Sequence, residues 1–307
     1  MKGILGYIRQ YFHEANKWVL TICTLFIAIL IVLNYSKGLE NYLVTHSSLP
    51  YAAVSGHWII YSAAFLLPYT LIYFTKKKAL QFSNIAIVCL LISPLLFALK
   101  AGIDTTFHFS DIDDWNSYWN TLLYWPVRLL LVFILLFIVQ RWLNPDESFY
   151  GLKTQPTKWK PYITMLLIML PLIAIASTQA DFLAVYPKMK RVLPLPDGAT
   201  PSWLYKILFE AAYGSDFISI ELFFRGFLIV GFAKWFGKEA ILPMACFYCS
   251  IHFGKPLGEC ISSYFGGLLL GIVSFHTRSI YGGLMVHLGI AWLMEAGGYI
   301  GNTFLKW

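Results

Sequence analysis

The run Ile220-Glu221-Leu222-Phe223-Phe224-Arg225-Gly226 places two opposite charges inside Trp203–Phe236, a stretch otherwise apolar enough to lie in a membrane. An ionised side chain in hydrocarbon costs from about 3 to more than about 10 kcal/mol. Such groups persist where they satisfy one another or share a polar cavity. Two later apolar segments each carry one histidine near mid-depth, His252 and His287. The reading that follows is an all-α, polytopic transmembrane helical bundle with an intramembrane polar site.

The composition around this run agrees. The chain has 307 residues, 58% hydrophobic and only 13% charged, with mean hydropathy +0.63, whereas soluble domains carry about 25% charged residues. The net charge of +7 comes from Lys and Arg scattered through short loops, not from a basic patch interleaved with aromatics. No nucleic-acid partner is expected, and the positive-inside rule accounts for the excess. Membrane lipid is the expected surrounding. Cys23, Cys89, Cys246, Cys249 and Cys260 are odd in number and lie in or beside apolar segments. The Cys246/Cys249 C-x-x-C spacing has no second pair, so the thiols read as small buried hydrophobes. The first apolar run follows a polar start without a small-residue cleavage site and reads as an uncleaved anchor.

Nine apolar stretches approach the roughly 20 residues a span requires. They are Trp18–Tyr35, Trp58–Phe74, Asn84–Leu99, Thr121–Gln140, Tyr162–Ala180, Trp203–Phe236, Ala240–Phe253, Leu257–His276 and Ser279–Ile300. The expectation is eight or nine spans. Trp203–Phe236 is too long for one perpendicular pass, so it tilts, breaks near Gly214 or projects into the interface. Lys2, Arg9, Lys17, Lys76-Lys77-Lys78, Arg141, Lys153, Lys158, Lys160, Lys234, Lys238 and Arg278 fall on one side if the N-terminus is cytoplasmic, as in a cell (inner) membrane protein. Lys188, Lys190 and Arg191 break that alternation. The chain divides into N-terminal spans (1–180), a Pro-rich connector (181–202) and a core (203–307) that holds nearly all the intramembrane polar residues. No internal repeat is found, which counts against repeat-built transporters.

In an α-helix Glu221 and Arg225 lie one turn apart and can pair. Glu210 lies near three full turns before Glu221, on the same face. Counted from Lys234, Glu239 and Arg278, the depths of Glu221, His252 and His287 are about 20, 20 and 13 Å. One carboxylate and two histidines at similar depth suit water activation and oxyanion stabilisation without a cofactor. They also suit a Zn²⁺ site, which no compact ligand spacing demands. Ser219 and Ser250 lack a nucleophile elbow and read as serines bonded to helix carbonyls. Structural readings stand beside these: an intrahelical ion pair for Glu221–Arg225, and helix–helix hydrogen bonding for either histidine. Glu259 follows a turn and reads as a helix-start carboxylate, able to reach His252 if the chain re-enters the membrane.

The order of these residues resembles the CPBP family, which includes the CAAX prenyl-protein endoproteases and bacteriocin-processing enzymes. Its Glu-Glu-x-x-x-Arg motif is matched by Ile220-Glu221-Leu222-Phe223-Phe224-Arg225. Its Phe-x-x-x-His is matched by Tyr248-Cys249-Ser250-Ile251-His252, and its His-x-x-x-Asn by His287-Leu288-Gly289-Ile290-Ala291. The resemblance covers about residues 203–300. It implies an intramembrane endopeptidase acting on a hydrophobic or membrane-tethered peptide or protein, without a metal. Glu221 and His252 would polarise the water and His287 would contact the oxyanion, with Arg225, Glu210 and Glu259 in support. The family's first Glu is Ile220 here and its Asn is Ala291. Nothing in the sequence marks a prenyl-binding site, so the resemblance is to the family rather than to CAAX processing itself. The competing expectations are a non-catalytic scaffold, chaperone or immunity protein of the same fold, and a proton or solute transporter.

Overall fold

The computed structural model describes residues 3–46, 51–76, 80, 82–143, 149–152 and 159–304. Lys2, Lys77, Lys78, Lys153 and Lys158, which entered the loop-charge reading, lie outside them. In chain order the helices are α1 (Ile4–Glu14), α2 (Lys17–Lys37), α3 (Leu39–Val44), α4 (Ala52–Lys76), α5 (Asn84–Gly102), α6 (Asp113–Leu143) and α7 (Lys160–Ala176). Then come α8 (Ala180–Val185), a 3₁₀ turn (Lys188–Val192), α9 (Ser202–Glu221), a π-helical segment (Leu222–Gly231), α10 (Ala233–Phe236), α11 (Ile241–Ser250), α12 (Leu257–Thr277) and α13 (Tyr281–Phe304). No strand occurs among the described residues. The chain is an all-α polytopic helical membrane protein.

Among the described residues, α2, α5, α12 and the stretches Ala52–Thr75 and Asp113–Trp142 are long and apolar enough to cross a membrane. Lys160–Ala176 with Ala180–Val192 adds a sixth if that pair, bent by 96°, counts as one. This count of five or six does not confirm eight or nine spans. Helix α11 has ten residues, about 15 Å at 1.5 Å each, half the hydrocarbon thickness. Helix α9 carries Lys206, Glu210, Asp216 and Glu221. Nor does Trp203–Phe236 break at Gly214: α9 runs through it, and the winding changes only at Leu222.

Packing separates two compact units that interleave along the sequence. The first comprises Met1–Ile103, Leu135–Gln155 and Leu222–Ile280. Its centre is α11, every residue of which is buried, as expected for a helix apolar on all faces. Phe247 of α11 packs against Tyr61 and Phe65 of α4, Phe97 of α5, and Phe223 and Phe224 of the π segment, with ring centroids 5.1–6.0 Å apart. Helix α2 starts at Asn16, whose side chain accepts from the Trp18 and Val19 amides, and stops at Gly38 in the left-handed conformation, a usual helix stop. Gly226 allows another chain segment to approach: a Cβ there would lie 2.7 Å from the Tyr150 carbonyl oxygen.

The second unit comprises Asp104–Ile134, Pro156–Glu221 and Tyr281–Trp307. Helix α13 packs against α7, α8 and α9, around a core of Ile173, Phe182, Leu183, Tyr186 and Met294. Trp125 of α6 fits against Phe209 and Tyr213 of α9. Gly214 lets α9 lie close to α13, where an added Cβ would meet Leu288 at 3.2 Å. The basic residues that broke the loop-charge alternation have local uses. Lys190 Nζ donates to the terminal carbonyls of Leu183 and Ala184 in α8, satisfying groups a helix end leaves open. Lys188 is buried, its ammonium 4.8 Å from the Tyr186 ring centroid.

Candidate functional site

In the second unit, the last turn of α9 carries Glu221, fully buried, and the first turns of α13 carry Gly283 and His287. His287 Nδ1 lies 3.1 Å from Glu221 Oε1. The other carboxylate oxygen sits against Gly283, one turn earlier, where a Cβ would come within 2.4 Å of Oε2. Phe217, one turn before Glu221, sets its ring edge-on to the His287 imidazole at 4.7 Å. A carboxylate accepts hydrogen bonds, so His287 Nδ1–H donates to Glu221. The result is a buried carboxylate–imidazole pair.

Two further carboxylates on α9 and α13 are placed apart from this pair. Glu295 is buried and accepts from the amides of Lys188 (2.7 Å) and Met189 (3.2 Å), holding the first turn of the 3₁₀ segment against α13. Glu210 is half-buried with Glu295 as its charged neighbour, and its Oε2 has no hydrogen-bond partner among the described residues. Ser219 donates to the Asp216 carbonyl.

The first unit holds the remaining motif residues. Arg225, fully buried on the π segment, places its guanidinium 4.1 Å from the centroid of the Tyr248 ring. Leu222–Gly231 is π-wound, with i→i+5 hydrogen bonds. Tyr248 packs edge-on against His252 at 4.7 Å, and its carbonyl lies 2.8 Å from His252 Nδ1. A carbonyl cannot donate, so His252 carries a proton on Nδ1. Ser250 donates to the Phe247 carbonyl. Glu259, in the first turn of α12, lies 3.6 Å from Lys255 Nζ.

The turn that carries His252 is held by residues that sequence reading passed over. Asn34 of α2 donates its amide to the Phe253 carbonyl at 2.9 Å and accepts from the Glu40 backbone N–H at 2.9 Å. Tyr35 donates its hydroxyl to the Lys255 carbonyl at 2.5 Å. Glu40 lies 3.7 Å from His57 of α4. The one signal for these was a cluster of polar residues at the end of the first span, which resembles ordinary interfacial residues. Among the described residues, no three His, Cys, Asp or Glu side chains converge as metal ligands would.

No curated protein and no solved structure matches the chain. Residues 202–293, under a third of the chain but containing Glu210, Glu221, Arg225, Tyr248, His252, Glu259 and His287, match the family model of the type II CAAX prenyl endopeptidase, Rce1-like.

Proposed function

We propose that this chain is an intramembrane endopeptidase of the CAAX-protease kind in which the Glu221–His287 pair activates water. The observation that carries the reading is the 3.1 Å bond from His287 Nδ1 to a fully buried carboxylate. A neutral imidazole so held presents Nε2 to a water on the scissile carbonyl and takes its proton as the new carbon–oxygen bond forms. Glu221 then faces an imidazolium rather than a neutral ring, so its attraction grows toward the transition state, which is where stabilisation accelerates a reaction. The same Nε2–H protonates the departing amine. His287 thus becomes the base, not the oxyanion contact the family resemblance implied, because its other nitrogen is engaged by Glu221. The part of His252 rests on the Tyr248–His252 motif and is tested by its own variant.

The substrate class proposed is a hydrophobic or membrane-tethered peptide, since a protein of this composition meets its substrates in or at the bilayer. The N-terminus is proposed to face the cytoplasm, from the distribution of loop cations. The test is cleavage, in proteoliposomes, of a peptide library with prenylated, acylated and unmodified members. Glu221→Gln and His287→Ala are expected to lower the rate by about 10²–10⁴-fold, the contribution of a general base, and His252→Ala to lower it as well. A library left uncut by the wild-type protein, or cut equally well by His287→Ala, would overturn the proposal.

A further inference from the structure

The five cysteines are free and buried, but their neighbours are not those the C-x-x-C spacing suggests. Cys246 turns to Cys23 of α2. Cys249, three residues on, faces Cys260 of α12. The contact is reciprocal through the backbone: Cys249 Sγ donates to the Cys260 carbonyl at 3.4 Å, and Cys260 Sγ lies 4.0 Å from the Cys249 carbonyl. The two helices are close-packed here, since a Cβ on Gly267 of α12 would lie 3.3 Å from Ala245 Cα of α11. Thiols in mutual contact between two facing helices need little movement to reach disulfide geometry.

We propose that Cys249 and Cys260 form a redox modification site, in which a two-electron oxidant of the peroxide class joins them and staples the α11–turn–α12 hairpin. One thiolate attacks the peroxide oxygen, giving a sulfenic acid and one water. The second thiol attacks that sulfur and expels the second water. Two sulfurs lose two electrons and two protons, and the peroxide takes up both. The oxidant has a short path to the pair. Cys260 lies one turn from the start of α12 and neighbours Tyr35, which is exposed, as is Gly254 in the turn. The ring closed by the disulfide, residues 249–260, contains His252 and the turn held by Asn34 and Tyr35. Oxidation therefore constrains the one segment of this unit that carries a motif histidine.

The test uses the full chain in detergent micelles, exposed to hydrogen peroxide, unfolded into N-ethylmaleimide and digested without reduction. The expected result is loss of alkylation at Cys249 and Cys260 together, in a peptide lighter by two hydrogens, while Cys89 remains alkylated. Amides 251–255 are expected to exchange about tenfold more slowly in the oxidised protein. In Cys249→Ser, Cys260 is expected to form no intramolecular link. Full alkylation of both cysteines after peroxide, a Cys246–Cys249 link instead, or unchanged exchange of the turn would each overturn the proposal. The wild-type map and exchange decide the matter even if the variant fails to fold.

Discussion

Replacing Gly283 by alanine probes the carboxylate–imidazole pair without touching either partner. The new Cβ would stand 2.4 Å from Glu221 Oε2 and 3.3 Å from its Cδ. Non-bonded contact begins near 3.4 Å, so the carboxylate must retreat by about 1 Å. The bond on its other side has no slack. At 3.1 Å it already exceeds the roughly 2.7–2.9 Å usual for charge-assisted pairs, and about 1 Å more ends it. A hydrogen bond to a charged group is worth about 1.5–3 kcal/mol, which corresponds to roughly 10- to 150-fold in rate. The clashing atom is the end of a side chain, so the fold can yield at modest cost. Gly298→Ala is the contrast: its Cβ would stand 2.6 Å from the Tyr186 carbonyl carbon and 2.7 Å from the Pro187 nitrogen. Backbone cannot swing aside, and overpacking of this kind costs about 1–3 kcal/mol or more. Initial rates on a cleaved tethered peptide and thermal unfolding in detergent separate the two effects. Gly283→Ala should lose rate and keep most of its stability; Gly298→Ala should lose stability. A Gly283→Ala protein within twofold of the wild-type rate would refute the reasoning.

Three further outcomes are expected. Asn34→Ala removes the side chain that bridges the Phe253 carbonyl and the Glu40 amide; it should cost about 1–3 kcal/mol, read as a lower unfolding midpoint and faster exchange at residues 251–255. Arg225→Lys replaces a planar cation stacked 4.1 Å from the Tyr248 centroid with a point charge that cannot stack. Its cost should be about 1–2 kcal/mol, and a midpoint equal to wild type would remove the stacking argument. In α1, ahead of the first span, burial holds the Tyr11 hydroxyl well above its ordinary ionisation range. Its stabilisation is complete below the ordinary tyrosine value near 10 and is lost as pH rises beyond it. Alkaline titration should therefore loosen α1 in wild type, and Tyr11→Phe should abolish that part of the pH dependence.

What could be read from sequence depended on contrast with the apolar background. Glu221 and His287 were conspicuous because an ionisable group in a run of Leu, Phe and Ile needs a reason to be there, and the helical class followed from the same background. Asn34 and Tyr35 hold the His252 turn as firmly as any motif residue, yet polar side chains at the end of a span are ordinary. Helix α11 passed as a span because hydropathy alone does not separate a short helix buried in protein from one buried in lipid; its length of ten residues was the better guide. The π winding from Leu222 leaves no trace in residue type.

The two positions that depart from the family bear on which group acts as the base. Ile220 and Ala291 are both buried, with 8% and 2% of their surfaces exposed. A glutamate at position 220 would put a second buried carboxylate beside Glu221, and neighbouring like charges drive one of them to take up a proton. With isoleucine there, the Glu221 carboxylate meets the His287 imidazole without a second carboxylate beside it. On the proposed reading the absent glutamate shifts the base role to His287 rather than leaving it vacant. Ala291 has no such replacement. It lies one turn beyond His287 on α13, where an asparagine amide would share the histidine's face, and its methyl group donates nothing. Loss of an oxyanion donor raises a barrier by about 3 kcal/mol. On the proposed reading the departures together describe a slow protease that keeps its base, which a rate assay distinguishes from an inert scaffold of the same fold.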